Sequence, residues 1–107
     1  MNSLDEKQNI QEKQYFLPYH WFLNRDTYRG RVYFSYLDLC FSLISKDKNI
    51  KLLDAGCGDA KALAELNKKS YSNLYGLDYS EKAINFARIL LPKVNFICSD
   101  LRKINYK

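Results

Sequence analysis

The chain is 107 residues long, carries 17 basic and 12 acidic side chains for a net charge of +5, and is 47% hydrophobic. That length supports one domain; no apolar run approaches the ~20 residues of a membrane span; and the polar first 14 residues hold no signal-peptide core, which points to a cytoplasmic protein. Cys40, Cys57 and Cys98 are odd in number, far apart and not in a Cys-x-x-Cys arrangement, so they read as reduced thiols with no zinc site.

Residues 1–14 read as a polar leader, frayed or weakly helical. Residues 15–47 form an aromatic-rich helical region in which Arg25, Arg29 and Arg31 are interleaved with Tyr15, Phe16, Tyr19, Trp21, Phe22, Tyr28, Tyr33, Phe34 and Tyr36. Three readings of that region stay open. It is a helix and loop packed across a sheet, a lid over a ligand, or a nucleic-acid contact through arginines and stacking aromatics. The basic excess suits an anionic partner without requiring one. His20, the single histidine, reads either as a structural ring or as a general base. Residues 31–45 carry helical spacing, with Val32, Tyr36, Leu39 or Cys40, and Leu43 on one face, widened by Tyr33, Leu37 and Ile44. Gly30 is expected to break that helix from the loop before it, and residues 46–49 form a polar linker.

Residues 50–60 read Ile-Lys-Leu-Leu-Asp-Ala-Gly-Cys-Gly-Asp-Ala, a short apolar strand that ends in an acid and enters a Gly-x-Gly turn before a helix starting near Asp59. Residues 73–78 read as a second strand ending in Asp78, which lies 20 residues after Gly58, near the spacing at which such folds set a carboxylate on ribose hydroxyls. Ser80 is an N-cap for a helix over 81–91 that Pro92 terminates, with Ala83, Ala87 and Leu90 as its apolar stripe, flanked by Ile84 and Leu91. A third strand over 94–98 precedes Ser99-Asp100-Leu101. Residues 48–107 therefore predict a βαβαβ unit with an acid at each strand end. Cys57 needs only to be small in the loop, and a nucleophilic role has no neighbouring base in sequence to support it.

The Asp54-x-Gly56-x-Gly58 form resembles motif I of the class I S-adenosylmethionine-dependent methyltransferases. The dinucleotide fingerprint needs a third glycine at position 61, which is lysine. The resemblance implies an α/β, Rossmann-like parallel sheet, of which this chain holds the first three of seven strands behind a helical N-terminal extension. It implies S-adenosyl-L-methionine as cofactor. Asp54, Gly56 and Gly58 would bracket the methionine end, Asp78 the ribose and Tyr79 the adenine, and Asp100 would accept from the adenine amino group with Leu101 adjacent. The family's usual next glycine is Ala60 here, harmless if it starts the helix and unfavourable at positive φ. The family's first strand is central, so it becomes an open edge in this chain. The expectation is either a fragment, or a half-domain completed by another copy or another polypeptide. Acceptor contacts usually follow the fourth strand, so no catalytic residue is named and the methyl acceptor stays open. The expected function is a methyltransferase or the truncated half of one. A non-catalytic scaffold or interaction subunit is the alternative, and an NAD-dependent oxidoreductase fragment is a weaker one.

Overall fold

Parallel strands need crossover connections, and the two glycine- and acid-marked turns of this chain each open such a crossover. The computed structural model describes residues 3–100 and residue 102. The elements are α1 (Ser3–Gln14), a short 3-10 turn (Tyr19–Phe22), α2 (Tyr28–Ser42), β1 (Leu52–Ala55), α3 (Lys61–Lys68), β2 (Leu74–Asp78), α4 (Glu81–Leu90) and β3 (Asn95–Cys98). The strands form one parallel sheet in the order β1-β2-β3, with Leu53 opposite Tyr75 and Gly76 opposite Phe96. This is the Rossmann-like α/β arrangement expected from the sequence.

The central strand β2 is the most buried, with Leu74 and Leu77 sealed from solvent. Leu63 and Leu66 of α3 and Ile84 and Ala87 of α4 join Leu74 in one core cluster, which Phe41, Ile44, Leu52 and Phe96 border. Small residues at Ala83 and Ala87, both fully buried, let α4 approach the sheet closely. Ser80 caps α4 as its spacing predicts, its hydroxyl accepting from the Ala83 N–H. Leu90, assigned to the inward stripe, is instead 38% exposed at the end of the helix.

The helix of the aromatic region departs from expectation in phase. Val32, Tyr36, Leu39 and Leu43 are 55%, 67%, 62% and 82% exposed. The inward face carries Gly30, Phe34 and Leu37, with Phe41 and Ile44 continuing it into the core. Both stripes have helical spacing, so periodicity alone could not choose between them. Gly30 is inside α2 rather than a break before it. The Thr27 hydroxyl caps the helix by accepting from the Gly30 N–H, and a Cβ at position 30 would lie 1.5 Å from the Asn24 carbonyl oxygen. That contact requires glycine at position 30.

Residues 3–14 form a full helix, α1, with little apolar sidedness. Polar contacts dock it. Tyr79 donates to the Gln8 carbonyl and to Gln11 Oε1, and Glu12 Oε1 accepts from the Lys82 N–H at the start of α4. The acid at a helix N-terminus is favourable for the dipole. No helix among the described residues is long and apolar enough to cross a membrane.

Candidate functional site

In open α/β sheets ligands bind beyond the carboxyl ends of the strands. A surface hollow of about 510 Å³, bordered by Lys46, Lys48 and Lys69, lies at the opposite, amino ends. At the carboxyl ends two adjoining cavities meet at Gly56 and Gln11. The first, about 300 Å³, is bordered by Gly56, Asp78, Tyr79 and Asp100, with Lys7, Gln8 and Gln11 of α1 above them. The second, about 240 Å³, is bordered by Asp54, Gly56, Cys57, Asp59 and Lys61 from the loop and α3, and by Tyr15, Tyr19, His20 and Tyr33. Of the residues singled out in the sequence, Gly56, Asp78, Tyr79 and Asp100 share the first cavity, and Asp54 faces the second. Gly58 braces the loop between them, and Leu101 lies outside the described residues.

The loop geometry depends on its glycines. Gly56 and Gly58 take φ of +80° and +55°, a region that penalises any Cβ. Space around the missing Cβ of Gly56 is open, which leaves room for a ligand, whereas a Cβ on Gly58 would meet the Tyr15 hydroxyl at 2.4 Å. Ala60 also adopts the left-handed conformation, φ 69° and ψ 28°, and caps α3 rather than joining its first turn. The condition under which alanine would be harmless is therefore not met.

Asp78 is buried, and its carboxylate accepts from the Gly58 N–H at 2.8 Å and the Ser80 N–H at 2.9 Å. A carboxylate has about four lone-pair sites, so two remain for donors in the cleft. Burial, then the Asp78 charge, pushes Tyr79 up to about 12, so its hydroxyl stays a donor at neutral pH. Asp100 is gripped by the Arg102 side chain and N–H, which hold its carboxyl far below the usual range and leave it an acceptor. Burial, then Asp78, pushes Asp54 up to about 6. Burial also drives the Cys57 thiol well above its ordinary value, which removes the thiolate a nucleophile would need.

The sequence reading missed one part of the site. Asp59, 1% exposed, accepts from the His20 N–H at 3.0 Å and pairs with His20 Nδ1, while its own carbonyl accepts from Trp21 Nε1 at 2.8 Å. These contacts tie the 3-10 turn to the glycine loop across 39 residues of sequence. A polar residue followed by a buried-helix pattern gave a hint of Asp59, but nothing local named its partner.

A family model described as "Methyltransferase domain" matches residues 46–107. The chain belongs to this methyltransferase domain family. Among solved structures, the plantazolicin methyltransferase BpumL in complex with SAH is 28% identical, with a TM-score of 0.52, covering 97% of this chain and 46% of its own. The same methyltransferase with a triazolic desmethylPZN analog and SAH gives 28% identity and a TM-score of 0.50, covering 98% of this chain and 38% of its own. The [4+2]-cyclase SpnF is 24% identical with a TM-score of 0.58 over 67% of this chain and 29% of its own, a likeness of fold alone. No curated protein matches. The methyltransferase domain described here thus spans less than half the length of these structures.

Proposed function

We propose that this chain binds S-adenosylmethionine across the two adjoining cavities and forms the cofactor-binding part of a methyl-transfer enzyme. The observation that carries the reading is the convergence of Gly56, Asp78, Tyr79 and Asp100 on one cleft beyond the strand ends. The BpumL complexes with SAH support it on the ligand side. The residues present fit such a ligand. Asp78 keeps acceptor capacity for ribose hydroxyls, Asp100 would exchange part of its contact with Arg102 for an exocyclic amine, and Tyr79 offers a ring beside it. Gly56 leaves the loop open to close approach, and Asp54 gives an acid for an ammonium group. Both cavities are at or near the ~300 Å³ lower end of small-ligand sites.

When bound, S-adenosylmethionine supplies an electrophilic methyl group on a sulfonium sulfur. The chain's own part is to bind, to orient and to exclude water. Gly58, held by Asp78, keeps the loop shape, and α1 roofs the cleft through Tyr79, Gln8 and Gln11. The methyl acceptor and any base belong to the reading only as open terms, since SpnF illustrates that one fold serves different chemistry.

Thermal unfolding with and without S-adenosylhomocysteine tests this. Ligand at about 100 times its dissociation constant stabilises the native state by about 2.7 kcal/mol, a rise of several degrees in Tm for a domain this size. A cooperative transition that ignores the ligand sinks the cofactor reading and favours a scaffold.

A further inference from the structure

We infer that His20, held by Asp59, is a recognition residue for the amino-acid end of the ligand. This rests on the cofactor reading above and adds to it a residue outside the glycine-loop motif.

The argument starts with Asp59. An ionised carboxylate only accepts, so the 3.1 Å contact requires the hydrogen on His20 Nδ1. The ring is fixed a second way, by Tyr19 with its centroid 4.2 Å away and by Tyr33 at 5.8 Å. With Nδ1 committed, Nε2 is the ring nitrogen turned away from Asp59, and it has no hydrogen-bond partner among the described residues. His20 borders a cavity whose other polar groups include Gln11, the Tyr15, Tyr19 and Tyr33 side chains, Asp54, Asp59 and the start of α3.

That set is complementary to a zwitterion rather than to a simple anion or cation. Asp54 matches an ammonium. The phenol donors and the positive end of α3 match a carboxylate, and burial pushes Tyr15 and Tyr33 upward so that they keep their hydrogens. The free nitrogen of His20 accepts from an ammonium when bare and donates to a carboxylate when protonated, and an α-amino acid offers both. Lys61 is engaged elsewhere, with Nζ 2.9 Å from Glu65. The first cavity, by contrast, shares no side chain of this group except Gln11 and the backbone at Gly56.

The test compares two probes by calorimetric titration: S-adenosylhomocysteine, and 5′-methylthioadenosine, which lacks the amino-acid end. His20→Asn keeps a nitrogen donor for Asp59 and deletes Nε2. Wild-type protein is expected to prefer S-adenosylhomocysteine by at least about tenfold. The variant is expected to lose about 10- to 100-fold on that ligand, the range of a hydrogen bond to a charged group, and to keep its affinity for 5′-methylthioadenosine. Retained 5′-methylthioadenosine binding also reports that the variant is folded. Equal weakening on both probes means that His20 only holds the loop, and overturns the inference. So does an unchanged preference in the variant, or a wild type that binds both probes alike. Wild-type protein that binds neither probe removes the cofactor reading itself, and the inference with it.

Discussion

Asp54 lies one residue before the end of β1, where burial, reinforced by Asp78, raises its acid to about 6. The folded chain therefore holds a proton on Asp54 more tightly than the unfolded chain does. Between about pH 4 and about pH 6 folding takes up a proton, and this group's contribution to stability falls as pH rises. Asp54→Asn is expected to remove that slope. Urea midpoints at about pH 4 and about pH 7 should show a smaller loss in the variant, by up to about 3 kcal/mol. A slope equal to wild type would mean that Asp54 titrates normally. An ammonium beside Asp54 would favour its ionised form, so S-adenosylhomocysteine affinity is expected to weaken as pH falls through about 6, measured by the same titration. Ala60 raises a different question of magnitude. Its left-handed backbone costs about 1–2 kcal/mol, which glycine would relieve. Glycine would also give up a buried methyl worth about 0.8 kcal/mol and add about 0.5–1 kcal/mol of unfolded-state freedom. The terms nearly cancel, so Ala60→Gly is expected to shift stability by less than about 1 kcal/mol in denaturant unfolding. This agrees with alanine surviving at a position where the related motif carries glycine.

Among the elements, α2 and α1 are held by opposite kinds of contact. α2 buries Phe34 and Leu37 and turns Leu43 to solvent at 82% exposure. Phe34→Ala should cost about 3–5 kcal/mol, and Leu43→Ser should stay within about 0.5 kcal/mol. Chemical denaturation of the two variants checks the phase of the helix, and the reverse order would restore the face expected from the sequence. Phe34 also receives the Arg25 guanidinium 4.5 Å from its ring centre, while Arg25 pairs with Asp38. One arginine of the aromatic region is therefore spent within the fold. Among its described side chains, α1 has no such apolar anchor. Its grip on the cleft is a set of hydrogen bonds from Tyr79 and Lys82 and the contact of Asp5 with Arg102. Such helices open at low free energy.

At the scale of the whole molecule, β1 pairs with β2 alone among the described residues, so one side of it is an open edge. Leu53 on that strand is 45% exposed and borders an apolar groove with Tyr36, Leu37 and Cys40. An open apolar edge promotes pairing between chains, and an edge lysine suppresses it. The 107-residue chain is expected to gain apparent mass with concentration in light scattering, and Leu53→Lys to reduce that gain. A wild type that stays monomeric at high concentration would count against an adhesive edge.

The sequence by itself determined the order of the parallel strands' segments, the Gly-x-Gly turn and the acids at the strand ends. These are local patterns in which residue type and backbone geometry are coupled within a few positions: an apolar run, a glycine at positive φ, a serine cap. The placement of Asp54, Gly56, Asp78, Tyr79 and Asp100 at the carboxyl ends of the strands was legible for that reason. Tertiary structure alone decided the phase of α2, because Val32-Tyr36-Leu39-Leu43 and Phe34-Leu37-Phe41-Ile44 are both apolar at helical spacing. The packing of Phe41 and Ile44 against the core settles which face turns inward. It also decided that α1, polar along its length, would dock over the cleft, and that His20 would meet Asp59. Those contacts join residues 39 to 71 positions apart. Their energy comes from hydrogen bonds completed between separate segments, and no periodicity within either segment records them.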